Sequence, residues 1–236
     1  MDDLIRYELH DGIATVTMDD GKANVMSVRM LRALDAALDR TLTDNAVLVL
    51  TGRERMFSGG FDLAVFQRDK PELLAMLTAG ARLTERLLAH PLPVVAACSG
   101  HAVAMGVFLM LCADVRIGID DGARTHINEV QNGMTLPHFA IEVSRHRLAP
   151  EHLNRALLLA TPYAPQQALA AGFFDKLVAP SALAETARAE ATRLQKLHAG
   201  AFAATKPRLH QHVLAALRAG IAQDIAGWTA AFATPA

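Results

Sequence analysis

The sequence predicts an α/β fold with a helical C-terminal region, and three observations support this. Two β-rich segments open the chain as a hairpin, short buried strands then alternate with helices, and from residue 150 the pattern becomes mainly helical. The chain has 236 residues, of which 52% are hydrophobic, so it can bury a substantial core without disulfides. We divide it into a core domain, residues 1–180, and a helical region, residues 181–236.

The first part of the chain begins with the predicted hairpin. The segments "LIRYEL" and "IATVTM" are rich in β-formers and flank "HDG", which is typical of a tight connection between two strands. A helix follows over "SVRMLRALDAALDRTL", because its apolar residues recur at helical spacing and Ser27 is a suitable N-cap. The apolar run "AVLVLTG" then predicts a strand that is buried on both faces.

The middle of the chain repeats this alternation. The predicted elements are, in order, a helix at "PELLAMLTAGARLTERLLAH", a buried strand at "PVVAACSG", a short apolar helix at "GVFLMLCAD" and a strand at "VRIGI". Further helices are predicted at "PEHLNRALLLA" and "APQQALAAG", and Gly172 is suited to end the second of them. A last short strand is predicted at "DKLVA".

Two helices complete the predicted fold, at "SALAETARAEATRLQKLHAG" and over residues 201–232. The second segment contains leucine, valine and isoleucine together with Trp228 and Phe232. We interpret this apolar content as a surface that packs against a partner subunit, although a simple surface helix is the alternative.

Composition argues against several classes of function. The net charge is −1 and basic residues are spread along the chain, so a nucleic-acid-binding surface is not expected. The longest apolar run stops at Asp114, too short to span a membrane, and the N-terminus lacks a signal-peptide pattern. Cys98 and Cys112 lie in apolar contexts, which favours free thiols in the cytoplasm. The ten histidines show no ligand spacing, so no metal site is expected.

Two glycine-containing turns could present backbone N–H groups to a ligand. The stretches "MFSGGFDL", residues 56–63, and "SGHAVAMG", residues 99–106, each follow a predicted buried strand and precede a helical segment. Glycine permits unusual backbone angles, and a helix N-terminus offers free donors. Two donors that converge on one oxygen form an oxyanion hole. Spacing alone favours two ordinary strand-to-helix turns, because glycine turns are common and neither has a phosphate-loop pattern.

Six stretches of the sequence occur in an order that matches a known family. They are "GKANVMS", "FSGGFDL", "PLPVVAACSGHAVAMG", "CADVRI", "INEVQNG" and "AAGFFDKLV". This order resembles the crotonase superfamily, also called the enoyl-CoA hydratase/isomerase family, from about residue 4 to residue 180. The resemblance implies a spiral of stacked strand–strand–helix units and C-terminal helices that form a homotrimer or a hexamer. It also implies an acyl-CoA thioester as substrate, with no separate cofactor, because coenzyme A enters as part of the substrate.

The resemblance also assigns roles to individual residues. The backbone N–H groups of Phe61 and Met105 take the positions of the family's oxyanion hole. The residues expected to contact the substrate or its coenzyme A are Ala23, Asn24, Gly60, Asp62, Leu63, Gly100, Gly106, Phe108 and Lys206.

Four polar residues have structural alternatives. Asp62 is well placed to cap the short helix that follows it. Lys206 is suited to coenzyme A phosphates or to an ordinary surface position. His101 and His138 could be auxiliary acid–base groups, but a lone histidine near a turn is more often structural.

The departures from the family pattern predict the type of reaction. Family hydratases have a glutamate where this chain has Phe108, whereas Glu129 aligns with the family's second glutamate. Hydration commonly uses two carboxylates around one water. The stretch "INEVQNGMTLP" looks more like the Δ3,Δ2-enoyl-CoA isomerases, in which one carboxylate moves a proton from C2 to C4. We therefore predict an isomerase with Glu129 as its catalytic residue. The alternatives are hydration, thioester hydrolysis and acyl-CoA binding without catalysis.

Overall fold

The computed structural model describes residues 4–68 and 70–233 as alternating strands and helices, so Met1 to Asp3 of the predicted N-terminal segment lie outside the described residues. Its strands, numbered β1 to β11, are Ile5–His10, Ile13–Met18, Val25–Met26, Val47–Gly52, Arg55–Ser58, Gly60–Phe61, Val94–Ala97, Gly100–Val103, Val115–Ile119, Thr125–His126 and Lys176–Val178. Its helices, numbered α1 to α10, are Val28–Thr43, Leu63–Phe66, Lys70–Leu88, Met105–Leu111, His138–Arg147, Pro150–Leu153, Pro165–Ala171, Leu183–Gln195, Ala199–Leu209 and Gln211–Ala233.

The predicted hairpin forms one edge of a six-stranded sheet. Strands β1 and β2 pair antiparallel, with Ile5 opposite Met18. The other neighbours, in the order β2-β4-β7-β9-β11, pair in parallel. Every residue of β7 is buried, as are residues 47–50 of β4. The continuous apolar runs in the sequence therefore correspond to strands that are covered on both faces.

A second layer of short strands completes each repeating unit. After β4 the chain forms β5 and β6 before α2 and α3, and after β7 it forms β8 before α4. Strands β10, β8 and β5 form a three-stranded sheet, and β3 pairs with β6. This arrangement confirms the predicted spiral of strand–strand–helix units. The sequence pattern predicts only turns here, because strands of two to four residues are too short to show alternation.

Helices cover both faces of the main sheet. Helix α4 lies in the core on one side, and all seven of its residues are buried. Helix α8 covers the other side, where it contributes to a separate apolar cluster through Leu183, Ala187, Ala191 and Leu194. The sheet therefore has the two covered faces that parallel strands require.

Two predicted helix ends are confirmed and one predicted helix is shorter than expected. Ser27 caps α1, since its Oγ accepts the Met30 N–H at 3.2 Å. Gly172 ends α7 with a φ of +90°. The predicted helix from residue 150 instead consists of α6 and a π-helical turn, Asn154–Leu158, so the α-helical pairing stops after one turn.

The last helix packs on its own chain. Helix α10 contacts α3 and α5, and its residues Leu214, Leu217 and Ile221 are buried there. The sequence predicts that this apolar surface meets a partner subunit, but the structure shows that much of it covers the subunit's own core. The division at residue 180 and the oligomeric state stay predictions.

Within residues 4–68 and 70–233, no helix combines the length and the apolar character needed to cross a membrane. The same residues contain no group of three or more His, Cys, Asp or Glu side chains that could hold a metal ion. Cys98 and Cys112 are both buried and have no disulfide partner.

Candidate active site

The two glycine turns lie in direct contact. Gly60, at the first turn, has a φ of +92°, a conformation that glycine adopts without strain. A Cβ added there would lie 2.8 Å from the Cβ of Ala104 and 3.5 Å from the backbone nitrogen of Met105. The peptide unit before Phe61 is therefore next to the start of α4. The fold brings together the two chain segments that carry the N–H groups of Phe61 and Met105.

Ala104, immediately before α4, has a strained backbone. Its φ is +50° and its ψ is −121°, which is outside the regions that residues with a Cβ normally occupy. The family pattern has glycine here. Ala104 also lines the cavity described below. The strain is therefore located at the junction of the two turns.

We expect Ala104→Gly to stabilise the protein by about 1 kcal/mol. Glycine relieves a strain of about 1–3 kcal/mol, and its greater freedom in the unfolded chain offsets about 0.5–1 kcal/mol of this gain. Urea unfolding of the purified variant measures the change. The matched control is Ala75→Gly at an exposed position inside α3, which should lose about 1 kcal/mol. An equal loss in both variants would contradict the strain.

A cavity of about 330 Å³ opens beside the two turns. Its walls are largely apolar and aromatic, and the side chains that form them come from α2, α3, α4, α5 and α10. These apolar lining residues are Leu63, Phe66, Leu73, Leu77, Phe108, Phe139, Trp228 and Phe232, with Phe61 at the first turn. The polar side chains that line it are Asn128, Glu129, Asn132 and Thr135. A cavity of this size and character suits an acyl chain with one reactive end.

Glu129 is the acidic residue of this cavity. It precedes a 3-10 turn, Val130–Asn132, that follows strand β10, and it is only 7% exposed. Its Oε2 atom is buried and accepts no hydrogen bond from the part of the chain that the structure describes. Since buried polar atoms are nearly always paired, an orphaned carboxylate oxygen in a cavity indicates a group that acts on a ligand.

Burial also changes the acidity of Glu129. Loss of solvation raises the pKa of its carboxyl from 4.5 to about 7, and the backbone N–H groups of Asn128 and Glu129 only partly oppose this. A carboxyl group with a pKa near neutrality can both accept and return a proton at physiological pH. The chemistry available here is therefore proton transfer by one residue.

The position of the other hydratase glutamate, where this chain has Phe108, is apolar. Phe108 is 1% exposed, lines the cavity and packs edge-on against Phe139, with ring centroids 5.9 Å apart. Among the described lining residues, Glu129 is the sole carboxylate. Within the lining that the structure describes, no second acid could therefore orient a water together with Glu129.

Comparison with known proteins identifies the family. The family model for enoyl-CoA hydratase/isomerase matches residues 8–235. The chain belongs to this family, the crotonase superfamily. A solved structure of an enoyl-CoA hydratase/isomerase family protein from Pseudomonas syringae is 41% identical, with a TM-score of 0.92, and the match covers 94% of this chain and 97% of that one.

Two further relatives have different names. The apo structure of an enoyl-CoA isomerase from Mycobacterium tuberculosis is 41% identical, with a TM-score of 0.91, and the match covers 96% of this chain and 99% of that chain. A probable enoyl-CoA hydratase from Bacillus subtilis is 33% identical over 132 residues, which are 54% of this chain and 50% of that protein. The chain thus matches about half the length of this curated relative. Both hydratase and isomerase names occur among its crotonase relatives.

Asn24, which the crotonase resemblance assigns to the substrate, is a structural residue. Its side chain is fully buried, and Nδ2 donates to the carbonyl oxygens of Met18, Met56 and Phe57 at 2.9, 3.2 and 3.2 Å. These bonds join the end of β2 to β5. The prediction of a substrate contact by this side chain is wrong, because its amide is already used inside the protein.

The segments around the first turn have mixed roles. The carbonyl of Ala23 accepts the N–H of Gly59 at 2.7 Å, and Gly59 lines the cavity. Asp62 caps α2, since its carboxylate accepts the Ala64 N–H at 3.0 Å, so the structural alternative for this residue is confirmed. Leu63 is 58% exposed at the cavity. Substrate contacts by Ala23 and Leu63 stay predictions.

Gly100 and Gly106 serve close packing. A Cβ on Gly100 would lie 1.8 Å from the carbonyl carbon of Arg55, and one on Gly106 would lie 2.6 Å from the Cβ of Ser58. Neither glycine lines the cavity among the residues described. Their predicted substrate contacts stay predictions, and the role that the structure gives them is in packing. These glycines let β8 and α4 approach β5, which positions the second turn.

The structure also corrects the role predicted for Lys206. Its ammonium group is buried and lies 2.7 Å from the carboxylate of Asp114, which also accepts the Val94 N–H at 2.9 Å. Burial lowers the pKa of Lys206 from its ordinary value, and the ion pair with Asp114 opposes this. A coenzyme A phosphate would need an accessible cation, so the predicted role is wrong. Lys206 fastens α9 to the start of β9.

The structure adds residues that the sequence alone does not identify. Trp228 and Phe232 of α10 line the cavity, although the sequence predicts them at a subunit contact. Asp224 holds this helix in place, because its carboxylate accepts the N–H groups of His138 and Phe139 at 2.9 and 3.0 Å. The signal in the sequence is weak: Asp224 is the one carboxylate of helix α10.

Proposed function

We propose that this crotonase shifts the double bond of a 3-enoyl-CoA thioester to position 2, with Glu129 as its acid–base residue. The observation that carries the proposal is the unpaired, buried Oε2 of Glu129 in a cavity where Phe108 stands in place of the other hydratase glutamate. Movement of a double bond needs one proton to be removed and one to be returned, and no water. Hydration needs a water held between two groups.

The first step is proton abstraction. The ionised Glu129 removes a proton from C2 of the acyl chain, and the electron pair moves onto the thioester oxygen to give a dienolate. The N–H groups of Phe61 and Met105 donate to that oxygen. Because negative charge develops there in the transition state, donors already held in place stabilise it more than the neutral carbonyl.

The second step returns the proton. The carboxyl group of Glu129 donates it to C4, the electrons shift back, and the product is the conjugated 2-enoyl thioester. A pKa of about 7 suits a residue that must take and release the same proton. The apolar walls keep water away from the dienolate. No cofactor takes part, since coenzyme A belongs to the substrate.

Three substrates separate this proposal from its alternatives. Purified protein should convert 3-hexenoyl-CoA with a gain of conjugated enoyl-thioester absorbance. It should neither remove that absorbance from crotonyl-CoA nor release thiol from hexanoyl-CoA. Faster loss of crotonyl-CoA would favour a hydratase, thiol release would favour a hydrolase, and binding without turnover would favour a non-catalytic protein.

An isotope experiment tests the single carboxyl group. If Glu129 carries the proton from C2 to C4, the reaction in D₂O should give a product with less than one full deuterium at C4. Complete deuteration would indicate a water or a second residue as the proton donor. Electrospray mass spectrometry of the product measures this directly.

We further propose a cytoplasmic homotrimer or a hexamer formed as a dimer of trimers. Leu158 and Leu159 are 63% and 71% exposed and Val130 is 42% exposed, which supports association because it would cover apolar surface. The two buried free thiols agree with a reducing compartment. A monomer in sedimentation velocity at micromolar concentration would contradict the oligomer.

A further inference from the structure

Gly80 lies at an unfavourable place for a glycine. It is buried in the middle of α3, Lys70–Leu88, where glycine is among the least helix-favouring residues. A local turn does not require it, since the helix continues for two turns beyond it. The reason for a glycine must therefore be contact with other parts of the protein.

The missing side chain of Gly80 makes room for two others. A Cβ at this position would lie 2.6 Å from Cζ and 2.7 Å from Cε1 of the Phe61 ring. It would also lie 3.2 Å from Cε of Met105. Phe61 and Met105 are the residues whose N–H groups form the proposed oxyanion hole. Both side chains therefore rest on one glycine.

The position of Gly80 on α3 places it at the cavity wall. Leu73 and Leu77 line the cavity, and Gly80 follows them at the spacing of one helix face. Met105 is fully buried, whereas the Phe61 ring is half-buried and borders the cavity. If a methyl group occupied the position of Gly80, the ring would have to move, and open space exists on the cavity side.

We propose that Gly80 is a positioning residue that seats the Phe61 ring against α3, outside the path of the acyl chain. The proposal rests on the proposed function, because it gives Phe61 the amide that binds the thioester oxygen. Glycine at residue 80 lets a chain with phenylalanine and methionine at the two oxyanion positions keep an open site. The residue acts through Phe61 and does not touch the substrate.

The test is a double-mutant cycle between residues 80 and 61. Gly80→Ala should lower kcat/KM for 3-hexenoyl-CoA at least tenfold and weaken binding of hexanoyl-CoA. In the Phe61→Ala background the same change should alter both quantities less than threefold, because no ring remains to be displaced and the flexible Met105 side chain can yield. A merely structural defect would not disappear with Phe61.

Gly227→Ala is the matched control. Gly227 is inside α10 and has no atom within 4 Å of an added Cβ, so this variant should keep wild-type kcat/KM. If Gly80→Ala does not fold, the comparison of Phe61→Ala with the double variant still applies, and the double variant should fold. An equal loss with and without the Phe61 ring, or no loss in Gly80→Ala, would overturn the proposal.

The cycle also separates this inference from the proposed function. Wild-type protein that turns over none of the enoyl thioesters would overturn the isomerase assignment. The hexanoyl-CoA affinities of the four proteins would still report on the position of the ring. If the wild-type protein is active and Gly80→Ala changes neither the hexanoyl-CoA affinity nor kcat/KM, only the role proposed for Gly80 would be wrong.

Discussion

Glu129→Gln should lose nearly all turnover of 3-hexenoyl-CoA while it still binds acyl-CoA. Glutamine has almost the same shape but cannot accept or return a proton at this site. A general acid–base group contributes about 10²–10⁴-fold, and we expect the upper end because Glu129 performs both transfers in the proposed mechanism. Steady-state kinetics measure the loss, and calorimetric titration with hexanoyl-CoA should give a dissociation constant within about threefold of wild type.

The matched control for this variant is Glu54→Gln. Glu54 is exposed in the turn between β4 and β5, so its replacement should leave kcat unchanged. Turnover of Glu129→Gln within tenfold of wild type would show that another group moves the proton, and the isomerase mechanism described above would be wrong.

The same residue should set the pH dependence of activity. Burial holds the pKa of Glu129 at about 7, and only the ionised form can remove the C2 proton. The value of kcat/KM for wild-type protein should therefore rise as pH increases through about 7 and then level off. Most proteins stay folded between about pH 5.5 and about pH 8.5. A flat profile of kcat/KM over this range would contradict the assignment.

Glu129 should also reduce stability at alkaline pH. Its folded-state pKa is raised from 4.5 to about 7, so folding favours the protonated form. Its contribution to stability is complete below pH 4.5 and is lost as pH rises through 7. At about 1.4 kcal/mol per pH unit, the ionised residue costs about 3 kcal/mol above pH 7. Glu129→Gln should therefore be more stable than wild type at pH 8, and this advantage should shrink toward pH 5.

Asp224→Ala should have the second large effect, because it detaches the final helix from α5. The Asp224 side chain is 5% exposed, and its carboxylate accepts three hydrogen bonds, from the N–H groups of His138 and Phe139 and from Nδ1 of His138. It lies at the N-terminus of α5, where a negative charge is favourable. Removal leaves the buried Phe139 N–H and the partly buried His138 N–H unpaired, so we expect a loss of about 3 kcal/mol in urea unfolding.

Activity should fall with stability, and the pattern should depend on chain length. Helix α10 carries Trp228 and Phe232, which line the cavity. Its displacement should lower kcat/KM roughly tenfold or more, because small misplacements at a site have large effects. The loss should be greater for 3-dodecenoyl-CoA than for 3-hexenoyl-CoA, since a longer chain reaches further along the wall. Equal losses for both substrates would contradict this role of the helix.

Asp39→Ala is the control for a carboxylate in an ion pair. Asp39 pairs with Arg86 on the surface, and its side chain is 67% exposed. Exposed ion pairs contribute about 0–1 kcal/mol, so this variant should change stability by less than about 0.5 kcal/mol and leave activity intact. A comparable loss in both variants would show that Asp224 is an ordinary surface charge.

The sequence predicts much of the fold because the relevant signals are local. The hairpin, the buried strands β4 and β7, and the ends at Ser27 and Gly172 follow from apolar runs, helical spacing and capping residues. The short second-layer strands do not follow from such signals. They are held by pairing with distant parts of the chain, as in the register between Arg55 and Gly100.

The site is predictable to the extent that it depends on residue type at a known position. Glu129 and Phe108 are identified by the family pattern, and the structure places both at one cavity. The structural roles of Asn24 and Lys206 could not be predicted, because their polar groups bind partners inside the protein that the sequence does not reveal. Lys206 and Asp114 are 92 residues apart, and only the folded chain brings them together.

The docked final helix also has a consequence for protein synthesis. The ribosome releases residues in order, and both Trp228 and Phe232 emerge after all the elements that carry the glycine turns and Glu129. The hydrogen bond between Asp224 and His138 joins residues 86 positions apart. It cannot form until Asp224 has left the ribosome. The cavity wall therefore closes only after residue 232 has emerged, and a polypeptide stalled before residue 211 would hold an open pocket around the Glu129 carboxylate.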